Sequence, residues 1–241
     1  MTTEPLIEVH DDSATLATAV AGELLSRLAD AQAAGGTPQI ALTGGTIAED
    51  IHRELARLTP GSEVDWSQVV IWWGDERFVA PDSPDRNSGQ AQAAFLDAVG
   101  ADPDKVHAMP STADAADVDA GATAYAQTLR THGAGEFDIV MLGIGPDGHI
   151  ASLFPGFPQL DSDAIAVGVT GSPKPPPERI SLTFSALNRA RSVWFLVSGA
   201  GKAAAVASAL GGADLHQIPA AGVTGREETI WFLDRDAASA L

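Results

Sequence analysis

Short apolar segments, each followed within two residues by a glycine, constrain the fold of this chain more than any other feature. They are Gln39–Leu42, Val69–Trp73, Phe137–Leu142 and Val193–Val197. Val69–Trp73 contains no polar residue, and such a strand is typical of a sheet that is covered on both faces. Ligands bind to sheets of this kind beyond the carboxyl ends of the strands. The loops after these four segments are therefore where we look for a functional site.

Helical periods alternate with these strands. Ser13–Ala33 repeats apolar residues four positions apart, which predicts an amphipathic helix capped near Asp12 or Ser13. Further helices are predicted from Ile47 to Leu58, at 87–98, 118–130 and 200–210, and further strands at 165–169, 179–183 and 229–233. The alternation predicts an α/β fold with a mostly parallel sheet and helices on both faces. The sequence shows no internal repeat and no low-complexity linker, so we expect one domain over residues 1–241.

The charge balance argues against several classes of partner. The 14 lysines and arginines face 32 acidic residues, a net charge of −18. Such a surface repels phosphate backbones and anionic membranes, so we expect no nucleic-acid or membrane partner. No cysteine is present, and no apolar run approaches the roughly 18–20 residues of a membrane span. Without a visible signal peptide, we expect a cytoplasmic protein that is a monomer or a weak homo-oligomer.

The first candidate loop is Thr43–Thr46, between a strand and a helix. Its central residues, Gly44 and Gly45, allow backbone N–H groups to turn toward a ligand. The helix start adds partial positive charge, so the loop suits an anion such as phosphate. The alternative is an ordinary strand-to-helix turn with a threonine cap.

The second candidate loop follows Trp73 and carries Asp75, Glu76 and Arg77. Loops after buried strands are functional more often than other loops, yet a solvated cluster with an acid paired to Arg77 would look the same. Asn87 can reach the same edge of the predicted site as this loop, and its alternative role is a helix N-cap.

The third loop, Gly143–Gly156, gives the strongest signal. His149 lies there among glycines, two residues after Asp147. Histidine suits proton transfer near neutral pH because its ordinary pKa is about 6.5. Asp147 is placed to orient His149 or to bind substrate hydroxyls. The remaining histidines, at positions 10, 52, 107, 132 and 216, lie in polar or helical contexts and are expected to face solvent.

Two motif matches do not hold. Gly143-x-Gly145-x-x-Gly148 matches the dinucleotide fingerprint in letters, but prolines at 155 and 158 break any helix there, so we expect no nicotinamide cofactor. The segment around Lys202 resembles a phosphate-binding P-loop but lacks its first glycine and its Ser/Thr.

Lysines are scarce, at positions 105, 174 and 202 only. Lys202 follows a buried strand at a helix start, a position that disfavours cations unless an anion is bound. Arg179 follows the Pro-rich segment Ser172–Pro177, which we interpret as a loop over a site, and it is a second candidate for the same anion. For both cations the alternative is a surface pair with one of the many acids.

These residues together resemble the 6-phosphogluconolactonase family, which shares its fold with glucosamine-6-phosphate deaminases. The resemblance covers nearly the whole chain and rests on Thr43–Thr46, Trp73–Val79, Asn87 and above all Gly143–Gly156, with Arg179–Ser181 and Gly199–Lys202 in agreement. The chain departs from the family pattern at Ile47 and Ala48, where Thr-Pro is usual, at Arg86, where serine is usual, and at Gln90, where methionine is usual.

The resemblance implies a Rossmann-like three-layer α/β/α fold without a metal or organic cofactor. It implies hydrolysis of 6-phospho-D-glucono-1,5-lactone to 6-phospho-D-gluconate, the second step of the oxidative pentose phosphate pathway. The implied site has His149 as general base with Asp147 and Asp75 beside it. The expected substrate-binding residues are Thr43, Gly44, Gly45, Thr46, Arg77, Asn87, Arg179 and Lys202. The alternatives are a sugar-phosphate isomerase or deaminase of the same fold and a non-catalytic phosphosugar-binding domain.

Overall fold

The computed structural model describes residues 4–241, in which strands and helices alternate along the chain. The strands are β1 (Leu6–His10), β2 (Gln39–Leu42), β3 (Val70–Trp73), β4 (Asp75–Arg77), β5 (Ile139–Leu142), β6 (Ala166–Val169), β7 (Arg179–Leu182), β8 (Ser192–Val197) and β9 (Glu228–Asp234). The helices are α1 (Ser13–Ala33), α2 (Thr46–Leu58), α3 (Asn87–Ala91), α4 (Asp97–Val99), α5 (Val118–His132), α6 (Phe184–Leu187) and α7 (Ala203–Leu210).

The larger sheet has the strand order β1-β9-β8-β5-β2-β3, and every neighbouring pair in it is parallel. Strands β2, β5 and β8 in its interior and the edge strand β3 are buried at every residue. The predicted α/β fold with a mostly parallel central sheet and flanking helices is confirmed. Because the strands are parallel, the loops after Leu42, Trp73, Leu142 and Val197 all leave the sheet at the same edge.

A second, antiparallel sheet has the order β4-β7-β6. The sequence predicts a loop for β4, and that prediction is wrong. The three residues of β4 are all charged, so no apolar alternation marks the strand. Their backbone instead pairs with β7, with Asp75 opposite Ser181 and Arg77 opposite Arg179. The edge strand β1 was also not predicted, and its residues are mostly exposed.

The helices largely match the predicted periods. The side chain of Asp12 caps α1 by accepting a hydrogen bond from the backbone N–H of Thr15. The helix predicted over 87–98 consists of α3, a π-helical turn at Gln92–Leu96 and α4. The helix predicted at 200–210 begins as a 3₁₀ turn, Ala200–Lys202, before α7. None of the helices within residues 4–241 is long and apolar enough to cross a membrane.

Candidate active site

The loops after β2, β3, β5 and β8 enclose a cavity of about 230 Å³, here called the catalytic cavity. It is lined by Thr43, Gly44, Gly45, Asp75, Arg77, Asn87, Gly143, Ile144, His149, Ala151, Lys174, Pro175, Arg179 and Lys202. A second cavity of about 380 Å³ adjoins it, sharing Gly44, Gly45, Gly143, Ile144 and Lys202. Of the predicted site residues, Thr46 lines only this adjoining cavity, and Asp147 lines neither cavity but is hydrogen-bonded to His149. The structure therefore brings the predicted residues together at one edge of the sheet.

His149 and Asp147 form a hydrogen-bonded pair, with 2.5 Å between Nδ1 of the ring and Oδ1 of the carboxylate. Burial lowers the pKa of His149 and is the largest influence on it. The bond and charge of Asp147 act in the opposite direction but do not fully offset burial. For Asp147, burial raises the pKa, but the hydrogen bonds from His149 outweigh this effect and the pKa is lowered. An ionised Asp147 requires a hydrogen on Nδ1, which leaves the Nε2 lone pair of neutral His149 free to accept a proton.

Glycines make this arrangement possible. Gly148 has φ +83°, a conformation that favours glycine, and the backbone N–H of Gly145 donates to the carbonyl of His149 over 2.8 Å. A Cβ at Gly145 would collide with the ring of His149 and the carboxylate of Asp147. The ring also packs on Phe154, with centroids 4.7 Å apart. The loop thus fixes the ring from its backbone and from one face.

Asp75 points its carboxylate toward a partner that sequence reasoning missed. The hydroxyl of Ser152, which is buried, donates to Oδ2 of Asp75 over 2.7 Å. Ser152 belongs to the same loop as His149, so this bond joins β4 to the loop Gly143–Gly156. The two acids consequently have different partners: Asp147 holds the histidine, whereas Asp75 is held by a serine and lines the catalytic cavity.

Glu76 is completely buried, which excludes the alternative of a solvated charge cluster for this residue. Its carboxylate accepts hydrogen bonds from the backbone N–H groups of Arg77, Asn87 and Ser88 and from the hydroxyl of Ser88, at 2.7–2.9 Å. A buried carboxylate is stable when several donors surround it. Glu76 thereby joins β4 to the start of α3 and fixes the positions of two predicted site residues.

Asn87 lies in the first turn of α3 but does not cap it, because Arg86 occupies the N-cap position. Its side-chain amide donates to the carbonyl of Asp75 over 3.0 Å, and its Oδ1 accepts from Nη1 of Arg77. The alternative role of an N-cap is therefore wrong. Asn87 instead orients Arg77 toward the catalytic cavity.

Arg86, which replaces the serine usual in the family, is buried beside this network. Its Nη2 donates to the carbonyl of Met109 over 2.5 Å and lies 3.8 Å from Oε2 of Glu76. Its charge compensates that of the buried carboxylate from behind the site.

The glycine loop after β2 is open to a ligand. Gly45, at φ +101°, is the N-cap of α2, and no side chain caps this helix, so the alternative of a threonine cap is wrong. A Cβ at Gly44 would overlap the side chain of Asn87. The loop and Asn87 are therefore in close contact, and the first N–H groups of α2 remain available to an anion.

The predicted cations are tied to backbone carbonyls rather than to surface acids. Nζ of Lys202 donates to the carbonyl of Ile144 over 2.7 Å, and burial lowers the pKa of Lys202. Arg179 is buried and uses Nε and Nη2 on the carbonyls of Pro176, Lys174 and Pro175 at 2.9–3.2 Å. Lys174 itself lines the catalytic cavity, and sequence reasoning did not assign it there.

The remaining histidines do not all face solvent. His52 is 4% exposed and stacks on Phe95, and burial lowers its pKa to about 4. His107 stacks on Trp72 and is half-buried. His10 is half-buried as well and stacks on Phe232. The expectation is wrong for these three because neighbours on other elements cover them, which their local sequence does not reveal. Within the described residues, no group of three or more His, Cys, Asp or Glu side chains could hold a metal ion.

Known proteins share both this sequence and this fold. Residues 11–231 match the family described as glucosamine-6-phosphate isomerases/6-phosphogluconolactonase. The 6-phosphogluconolactonase of Streptomyces coelicolor is 46% identical over 100% of this chain and 96% of its own length. That of Mycobacterium tuberculosis is 45% identical over 98% of each.

Solved structures of similar proteins have the same fold as this chain. The 6-phosphogluconolactonase of Trypanosoma brucei has a TM-score of 0.81 at 26% identity and covers 100% of each chain. A monomeric glucosamine-6-phosphate deaminase has a TM-score of 0.84 at 22% identity, with 98% and 100% covered, which shows a shared fold. The chain belongs to the family of glucosamine-6-phosphate isomerases and 6-phosphogluconolactonases. Within that family, relatives from Streptomyces and Mycobacterium at 44–46% identity are named 6-phosphogluconolactonase.

Proposed function

We propose that this chain hydrolyses 6-phospho-D-glucono-1,5-lactone to 6-phospho-D-gluconate, the second step of the oxidative pentose phosphate pathway, with His149 activating the attacking water. The observation that carries the proposal is the His149–Asp147 pair, which faces a cavity lined by cations and by a glycine loop. The full-length likeness to lactonases supports the same reaction. The proposal places the protein in the cytoplasm, as a monomer or a weak homo-oligomer.

In the first step, water attacks the lactone carbonyl while Nε2 of His149 takes one of its protons. The carbonyl π electrons move to oxygen, and the tetrahedral oxyanion is stabilised by backbone N–H groups of the glycine loops. In the second step, the oxyanion re-forms the carbonyl, the bond from carbon to the ring oxygen breaks, and His149 returns its proton to that oxygen. The product carboxylic acid then ionises. Asp147 keeps Nδ1 protonated and stabilises the imidazolium between the two steps.

The remaining residues hold the sugar phosphate. The phosphate lies against the loop of Thr43, Gly44, Gly45 and Thr46, where the α2 N–H groups and Lys202 meet it. Arg179 has Nη1 left for the same anion, and Arg77 is oriented by Asn87. Asp75, held by Ser152, accepts hydrogen bonds from the sugar hydroxyls.

The test is to supply freshly prepared 6-phosphogluconolactone and to follow acid release above the spontaneous rate. We expect His149→Ala to lower kcat by about 10²–10⁴-fold, the usual contribution of a positioned general base. His216→Ala is the matched control, because His216 also follows an aspartate by two residues but lies outside both cavities. Near-normal turnover by His149→Ala would remove His149 from the chemistry. Turnover of glucosamine 6-phosphate, or binding of phosphosugars without turnover, would instead favour the deaminase or the binding-domain alternative.

A further inference from the structure

The Pro-rich segment Ser172–Pro177, here called the strap, connects β6 and β7 and passes beside the catalytic cavity. Its backbone is fixed at several points. Arg179 donates to the carbonyls of Lys174, Pro175 and Pro176. The hydroxyl of Ser172 donates to the carbonyl of Lys174 over 2.9 Å, and the N–H of Ser172 donates to the carbonyl of Pro177 over 3.0 Å. The hydrogen bonds from Arg179 and Ser172 therefore fix the backbone position of Lys174 beside the catalytic cavity.

The side chain of Lys174, in contrast, has no partner within residues 4–241. Its ammonium group forms no hydrogen bond or ion pair with them, although 32 acids are present in the chain. The other cations of the cavity are engaged, since Lys202 donates to a carbonyl, Arg77 donates to Asn87, and Arg179 holds the strap. Lys174 thus brings a free positive charge to the catalytic cavity.

That charge lies close to another of the same sign. Among charged groups, Lys174 has the largest influence on Lys202 and lowers the pKa of its ammonium group. Two ammonium groups on one small cavity repel each other, and an anion with two negative charges placed between them would remove that cost. A sugar phosphate carries such an anion, because the second pKa of a phosphate monoester is near 6.

We propose that Lys174 is a substrate-binding residue, and that it holds the phosphate group of the sugar together with Lys202. The inference rests on the proposed function for the identity of the ligand. It assigns to the strap a direct role in recognition, and to Arg179 a second role as the residue that positions the strap.

Binding measured by isothermal titration calorimetry tests the inference without requiring turnover. The ligands are 6-phosphogluconate, sorbitol 6-phosphate, which has a phosphate but no carboxylate, and gluconate, which has a carboxylate but no phosphate. We expect Lys174→Gln to weaken binding of both phosphorylated ligands by about five- to tenfold, with smaller losses at high salt, because a charge-assisted bond at an exposed site is screened. Binding of gluconate stays as in the wild type, and Lys174→Arg retains most of the affinity.

Lys105→Gln is the matched control, since it removes the same charge from a lysine that donates to the carbonyl of Ser67, outside both cavities. Unchanged affinity of Lys174→Gln for the phosphorylated ligands would overturn the inference. So would a loss confined to 6-phosphogluconate, which would place Lys174 at the carboxylate, or a wild type that binds neither phosphorylated ligand. A wild type that binds them but does not hydrolyse the lactone would refute the lactonase proposal and leave the binding result for Lys174 standing.

The pH profile provides a readout that a merely structural role would not move. Lys174 lowers the pKa of His149, whereas Asp147 and Asp75 raise it, and the other charged groups that line the cavity are Arg77, Arg179 and Lys202. Removing the Lys174 charge therefore raises the pKa of His149. Because the neutral ring is the active form, the acid limb of kcat/KM in Lys174→Gln shifts to higher pH, and Lys105→Gln leaves it in place. A limb that stays in place or moves to lower pH would contradict the assigned position of Lys174.

Discussion

Replacing Asp147 with asparagine tests the central pair of the site. The substitution removes the carboxylate charge that lies 2.5 Å from Nδ1 of His149 but keeps the size of the side chain. Two unit charges about 4 Å apart interact by about 1 kcal/mol in water and about 4 kcal/mol near a protein surface. The side chain of Asp147 is 39% exposed, so solvent screening favours the lower part of this range, about 1–2 kcal/mol. An interaction of this size is large enough to be resolved in the pH dependence of the reaction.

The direction follows from the sign of the charge. Asp147 raises the pKa of His149, so its loss lowers this pKa further. The neutral ring is the active form, and the acid limb of kcat/KM therefore moves to lower pH. On the plateau, kcat falls by about 10- to 100-fold, the usual effect of losing a partner that orients a functional histidine. On the plateau His149 is already neutral in the variant, so the loss in kcat measures how much Asp147 contributes by orienting the His149 ring and by stabilising its imidazolium form.

The assay is initial-rate hydrolysis of the phosphorylated lactone across pH, corrected for spontaneous opening. The control is Asp214→Asn, because Asp214 accepts from His216 with the same spacing outside the catalytic cavity. An acid limb that moves to higher pH, or a plateau kcat equal to that of the wild type, would refute the assignment of Asp147 as the orienting residue.

Three further substitutions test the supporting structure. Gly145→Ala places a methyl group against the His149 ring, so we expect kcat to fall at least as far as in the asparagine variant, while thermal unfolding shows a folded protein. Ser152→Ala frees the carboxylate of Asp75 and raises KM for the lactone several-fold with little change in kcat, and an equal loss in kcat would assign Asp75 to the chemical step. For buried His52, the folded pKa of about 4 lies below the ordinary value near 6.5, so the unfolded chain binds more protons between these values. The contribution of neutral His52 to the free energy of unfolding is therefore fully present above pH 6.5, and the free energy of unfolding falls by about 3 kcal/mol toward pH 4. Urea unfolding of His52→Phe is expected to show a smaller dependence on pH.

The sequence predicts the catalytic edge of this protein well because the relevant signals are local. Buried strands that end in glycine loops identify the sheet edge, and His149 is conspicuous in such a loop. Thr43, Arg77 and Lys202 follow other strands of the same sheet, so topology alone brings them together.

What the sequence could not reveal depends on contacts between distant segments. Glu76 has the appearance of a surface acid, and only the donors at the start of α3 show how its charge is accommodated in the interior. Nothing in the local sequence marks Ser152 as a site residue, because its hydrogen-bond partner Asp75 lies 77 positions away in the chain. Lysine is a scarce residue in this sequence, and the segment that contains Lys174 is predicted to be a loop over a site. Only the hydrogen bonds from Arg179 to that segment show that Lys174 lines the catalytic cavity.

The contrast between the cavity and the rest of the chain bears on how product leaves. Opening the lactone produces a carboxylate, so the product carries one more negative charge than the substrate. The cations of the catalytic cavity act at contact distance, whereas the net charge of −18 acts out to about 8 Å and beyond before salt screens it. This outer field opposes the approach of both anions, but it opposes the more highly charged one more strongly. The acidic exterior therefore favours departure in the forward direction and limits rebinding of the product.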